Sequence, residues 1–161
     1  MDDVEIKLEN FLAKISTWMT HCDIIWNAED HFPRMSDVEC ALNADYRDFR
    51  QSSQQQLQET LFLLNQYLYR LNMELAKEQS VKAWADQGIN FLIAGQEFAQ
   101  YTKWEEKKFL IVRKSKIAEK LQELKTVSDA RILIVEATIK KIETSMKIIE
   151  NMGRIKMYER S

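Results

Sequence analysis

Residues Trp104–Met152, WEEKKFLIVRKSKIAEKLQELKTVSDARILIVEATIKKIETSMKIIENM, decide the architecture of this 161-residue chain. Apolar or small residues recur at Leu110, Ile117, Leu121, Leu124, Ser128, Val135, Ile139, Ile142, Met146 and Ile149. Steps of three and four put them on one stripe of a helix. Just upstream, Thr102-Lys103-Trp104-Glu105 reads as a capping box, in which hydroxyl and carboxylate each satisfy an orphan backbone N–H. No Pro interrupts the stretch and its first Gly is Gly153, so the spacing predicts one helix over about 103–152. At about 1.5 Å per residue it would be roughly 75 Å long, more than a compact domain of this size requires. Such an element needs partners, in its own chain or in another copy.

The rest of the chain supplies them. Ser36-Asp37-Val38-Glu39 is a second capping-box pattern, followed by Val38, Leu42, Tyr46 and Phe49 at helical spacing. Gln51–Gln56 is polar and uncharged, and glutamine is a fair helix former. The stripe resumes at Leu57, Leu61, Leu64, Leu68, Leu71 and Leu75 and runs to Leu92, with Gly95 as the stop. This predicts a second helix over 37–94. A first helix over 3–27 follows from Val4, Leu8, Phe11, Ile15, Trp18, Cys22 and Ile25. Pro33 marks the break between them.

The expected fold is therefore all-α, a single helical domain over 1–161. Short connections make neighbouring helices antiparallel. Folding about residue 98 or 99 sets Leu75 against Leu121, Leu68 against Ser128 and Leu61 against Val135. Folding about residue 32 brings Trp18 near Tyr46. The result is a three-helix bundle, with helix one beside the start of helix two, extending into a two-helix coiled-coil hairpin of about 60–95 against 103–135. Phe62, Leu63, Tyr67, Tyr69, Phe91, Phe109 and Ile111 lie off the hairpin stripe, and this surplus points to a homo-oligomer.

Composition narrows the class. Three Gly and one Pro with 45% hydrophobic residues suit long helices and few loops. The net charge of −2 conceals an asymmetry: residues 1–60 carry twelve acids and five bases, and residues 61–161 carry thirteen acids and eighteen bases. The acidic start lacks the pattern of a signal peptide, and the apolar runs are too short to span a bilayer. With only two cysteines, Cys22 and Cys40, expected as reduced thiols, the reading is a cytoplasmic protein without membrane attachment.

No reaction is legible. His21, Cys22, Asp30, His31 and Cys40 match no closed zinc spacing, so neither metal nor cofactor is expected. There is no Gly-rich phosphate loop and no nucleophile elbow. Glu105 and Glu106 are adjacent on a helix and diverge by about 100°. The expectation is a non-enzyme without catalytic residues.

The start of the third helix is basic. Between residues 103 and 125 there are eight Lys or Arg against four Glu. Lys103, Trp104, Lys107, Lys108, Arg113, Lys114 and Lys116 are the candidate nucleic-acid-binding residues, with Tyr101 and Phe109 interleaved. Sequence-tolerant single-strand binding needs both: cations follow the phosphates while rings stack on bases. The plainer reading is a solvated helix whose aromatics are core. The stripe also places Lys107 and Lys114 at seam positions opposite Glu78 and Lys82. Either a Glu78–Lys114 contact holds the hairpin there, or it splays into a basic cleft.

The hairpin and its ending, Lys140-Lys141-Ile142-Glu143-Thr144-Ser145-Met146-Lys147-Ile148-Ile149-Glu150-Asn151-Met152-Gly153-Arg154-Ile155-Lys156, resemble the small helical phage proteins that act as recombination mediators. The resemblance covers residues 57–160 and leaves helix one unexplained. It implies a ring- or cluster-forming protein that binds single-stranded DNA and helps load a recombinase, with no chemistry of its own. The rival is a coiled-coil interaction module, a scaffold, adaptor or inhibitor that docks a protein and binds no nucleic acid.

Overall fold

The computed structural model describes residues 3–21, 32 and 34–158, and the regular elements among them are all α-helices. They are α1 (Asp3–His21), α2 (Met35–Asn43), α3 (Tyr46–Gln51), α4 (Gln54–Ala94), α5 (Trp104–Lys114) and α6 (Lys116–Tyr158). The all-α class holds, but the long helices are more segmented than the stripe suggested. The expected helix over 37–94 is three helices, and the one over 103–152 is two. Residues 22–27 of the first expected helix lie outside the described residues.

Each break has a local cause. Between α2 and α3, Asp45 accepts from the N–H groups of Arg47 (2.7 Å) and Asp48 (3.0 Å), while Asp48 accepts from Asp45 N–H at 2.8 Å. Between α3 and α4, Ser53 and Gln56 exchange the same two bonds, at 2.7 and 3.2 Å. Both are capping boxes that start a new helix. The Ser36/Glu39 box is not formed: α2 begins two residues earlier with Arg34 at the N-cap, and the Arg34 side chain donates to Asp37 at 2.7 Å. The break at Ser115 is an extended residue (φ −121°, ψ 117°) that ends α5 and caps α6, its Oγ accepting from Ala118 N–H at 3.3 Å.

The chain divides into two compact units. One contains residues 1–26 and 75–133, the other 27–74 and 134–161. Both long helices contribute to each. In the second unit, Leu57 and Leu64 of α4 pack with Ile142, Ile149 and Met152 of α6 under Val38, Ala41 and Phe49 from α2 and α3. Phe32 lies against Tyr67 with ring centroids 5.3 Å apart. The Lys156 ammonium donates to the Ser52 carbonyl, tying the last turns of α6 to the α3–α4 break.

In the first unit, Ala85, Ile89 and Ile93 of α4 pack with Ile111 of α5, Ala118 and Leu121 of α6, and Val4 of α1. Phe11 stacks on Trp84 at 5.9 Å. Helix one thus belongs with the later part of α4 and not with α2, contrary to the expected three-helix end. The free apolar flank of Trp84 and Ile89 takes Val4 and Phe11, while α2 and α3 cover the early part of α4.

The expected pairing register fails as well. Leu121 lies on Gly88, where a Cβ would fall 2.9 Å from its Cδ1, and not on Leu75. Because α5 is a separate helix, the reversal is centred near residue 105 rather than 98 or 99. That slides α4 by roughly two heptads against α6, which leaves the stripe intact but changes every pair.

Candidate nucleic-acid interface

Helix α5 follows a short reversal in which Gly95 N–H donates to Phe91 O and Thr102 N–H to Ala99 O, at 3.2 and 3.0 Å. The Thr102/Glu105 box is displaced by one residue. Lys103 is the N-cap, and its N–H is accepted by Glu106 at 3.4 Å. The lysine side chain has no acceptor with which to reciprocate. Glu105 and Glu106 at the start and Arg113 and Lys114 at the end complement the helix dipole.

The face α5 buries is not the one the stripe chose. Ile111 is in the core and Leu110 is 38% exposed. In α6, Ala118 is buried and Ile117 is exposed. Around the extended residue Ser115 each helix turns in the neighbour of the expected residue, whereas further along α6 the expected Leu121, Ser128, Ile142 and Ile149 are buried. Lys107 and Lys108 flank Ile111 and are therefore half-buried. The Lys107 ammonium sits 5.5 Å from the Phe98 ring centroid.

Lys108 lies 4.0 Å from Asp86, whose carboxylate also accepts from Lys125. The Lys125 hydrogen bond, outweighing desolvation, holds Asp86 below the ordinary carboxylate value, and the same bond raises Lys125. Desolvation first, then the Lys125 charge, pushes Lys108 down. Two further ion pairs continue along the α4–α6 seam: Lys82 to Asp129 at 2.5 Å and Arg131 to Glu78 at 3.0 Å. Glu78 therefore meets Arg131 and not Lys114, and Lys114 is exposed. There is no Glu78–Lys114 contact.

Of the seven candidate residues, Lys103, Trp104, Arg113, Lys114 and Lys116 face solvent, while Lys107 and Lys108 turn toward the core. The interleaved aromatics are outside it: Tyr101 is 90% exposed, Trp104 50% and Phe109 62%. The Arg113 guanidinium lies 5.7 Å from the Phe109 ring centroid, a cation–aromatic pair on the outer face of α5. Beside it, Glu105, Glu106, Phe109 and Leu110 line a shallow depression. The outer face is thus mixed, with carboxylates at its start and cations at its end. Phe91, 80% exposed, adds an aromatic that the stripe did not assign to this end.

Among the described residues no group of three or more His, Cys, Asp or Glu side chains could hold a metal ion. Cys40 is an exposed free thiol, and His21 Nδ1 is 2.9 Å from Thr17 O. Cys22, Asp30 and His31 lie outside the described residues. None of the described helices is long and apolar enough to cross a membrane. Comparisons with protein-family models, with curated proteins and with solved structures give no match to this chain.

Proposed function

We propose that this chain is a non-enzymatic, self-associating helical protein that binds single-stranded nucleic acid at the α5 end of its first unit and assists loading of a recombinase. The loading role rests on the resemblance to phage recombination mediators. The binding role rests on one observation: Tyr101, Trp104 and Phe109 are solvent-facing beside Lys103, Arg113, Lys114 and Lys116. Exposed rings with adjacent cations supply the stacking and the phosphate neutralisation that sequence-tolerant binding needs. Lys107 and Lys108 take a supporting role, since each is already engaged with the fold.

The test is the salt slope of single-stranded DNA binding. Arg113→Glu with Lys114→Glu removes two exposed cations, and the slope of log affinity against log salt should fall by about two. Trp104→Ala should weaken binding with that slope unchanged, as stacking on the order of 1–3 kcal/mol is lost. Wild-type protein that ignores single-stranded DNA at low salt rejects the reading. The rival, a protein-docking module, is favoured by the pairing of Glu105 and Glu106 with Phe109 and Leu110, since carboxylates around an apolar depression repel phosphate and suit a basic, apolar peptide.

A further inference from the structure

Helix α5 carries three different groups in one row at a spacing of four: Glu105, Phe109 and Arg113. Residues four apart share a helix face, and each side chain leans back over the preceding turn. At the later end of the row the Arg113 guanidinium lies 5.7 Å from the Phe109 ring centroid. At the earlier end Glu105 and Phe109, with Glu106 and Leu110, line the same shallow depression. All three members of the row are exposed. Of the two glutamates, Glu106 is engaged at the helix cap, where it accepts from the Lys103 N–H, and Glu105 takes no part in that cap. The charge nearest Glu105 is the inward-turned Lys108 of the next turn.

Phosphate binding has no use for Glu105, since a carboxylate repels phosphate. A base edge has. An ionised carboxylate only accepts hydrogen bonds, and its paired oxygens take two parallel donors at once. In a single strand the Watson–Crick edges are open to such a group. Guanine presents its ring N1–H and its exocyclic amine side by side, both as donors. Cytosine and adenine present one amine beside a ring nitrogen that accepts. Thymine presents one N–H between two carbonyl oxygens. Guanine alone offers a carboxylate two donors with no lone pair opposing it. Glu105 and Arg113 are eight residues apart, roughly 12 Å along the helix, which is on the scale of one nucleotide from base edge to phosphate.

We propose that Glu105 gives the α5 surface a preference for guanine. The base stacks on Phe109 in the depression, donates its N1–H and exocyclic amine to the Glu105 carboxylate, and leaves its phosphate to Arg113. This rests on the single-strand binding proposed above and adds base selection to it. It also gives the acidic start of an otherwise cationic and aromatic face a use.

The experiment compares the full chain on single strands of equal length: all thymidine, alternating guanine–thymine, inosine–thymine and cytosine–thymine. Lithium salt keeps the guanine repeats unpaired. The guanine repeat should bind roughly five- to tenfold more tightly than all-thymidine at one salt concentration. The salt slope should be the same for both, because no phosphate contact differs. Inosine lacks the exocyclic amine and should lose most of the gain. Glu105→Gln replaces two acceptors by one and should abolish the preference without weakening all-thymidine binding, the helical circular-dichroism signal being retained. Glu106→Gln should keep the preference. Equal affinity of the wild-type chain for guanine and thymidine repeats overturns the guanine reading and leaves single-strand binding standing. A preference that survives Glu105→Gln, or is lost in Glu106→Gln instead, overturns the assignment to Glu105. A wild-type chain that binds none of the strands rejects the nucleic-acid reading itself, and this one with it.

Discussion

The same two helices, α4 and α6, pack on different principles in the two units. In the second unit their contact is aliphatic: Leu57 and Leu64 on one side, Ile142, Ile149 and Met152 on the other. In the first unit the apolar contact is flanked by a ladder of ion pairs, Glu78 with Arg131, Lys82 with Asp129 and Asp86 with Lys125. Aliphatic packing is strong but tolerant of sliding by a heptad, because leucine meets leucine or isoleucine again seven residues on. Charges of alternating sign do not repeat that way. A slide by one heptad would still offer Lys82 an acid, Glu136, but it would set Glu78 level with Thr138 and Asp86 level with Ile132, so two of the three pairs would be lost. The ladder therefore fixes the register of α4 against α6 within the first unit.

Removing volume from the aliphatic seam should produce the largest effect. Leu64 is fully buried, and Leu64→Ala should cost roughly 2–5 kcal/mol in denaturant unfolding. A cost well under 1 kcal/mol would mean that this seam is loose, and the contrast between the units would fail. Altering the ladder should do less. Glu78 is buried and its Oε2 has no hydrogen-bond partner, while Arg131 on Oε1 is mostly exposed. Arg131→Met should destabilise by about 1–3 kcal/mol, because a buried carboxylate loses its donor. Glu78→Leu should be neutral or stabilising, since it removes the desolvation cost together with the pair. If Glu78→Leu were the more damaging of the two, the ladder would be a source of net stability and not of register.

The smallest effect is the response to pH, and its sign separates the members of the cluster. The folded value of Asp86 lies below its ordinary 3.8, so its contribution is present above that value and is lost as pH falls through the lowered one. Lys125 is raised above 10.5, so its contribution is present below 10.5 and is lost as pH climbs through the raised value. Lys108 is lowered, so its charged form counts against the fold, and that penalty is relieved as pH rises through its lowered value. Thermal melts between about pH 2 and pH 7 should show a shallower acid loss in Asp86→Asn than in the parent. Equal acid arms would place the acid sensitivity elsewhere.

The capping motifs show how far local sequence reaches. Ser36-x-x-Glu39 and Thr102-x-x-Glu105 have the same form as Asp45-x-x-Asp48 and Ser53-x-x-Gln56, yet only the latter pair closes. A cap contributes on the order of 1 kcal/mol, so packing of the flanking helix decides which of several candidates is used. The break at Ser115 carried a local signal as well: Arg113 and Lys114 suit a helix C-terminus, and a serine suits the next N-cap. The unbroken apolar stripe hid it. That one residue changed which of Leu110 or Ile111 is buried and turned Lys107 and Lys108 inward.

By itself, then, the sequence determined the helical class, the apolar stripes of α4 and α6, and the exclusion of known metal and nucleophile patterns, because three-and-four spacing and ligand spacing are properties of neighbours along the chain. Tertiary structure decided where α1 packs, which of two heptad registers joins α4 to α6, and which lysines of α5 face water. Those choices compare alternatives of nearly equal local energy. They are resolved only by residues distant in sequence, such as Gly88 accepting Leu121 and Asp86 accepting Lys125.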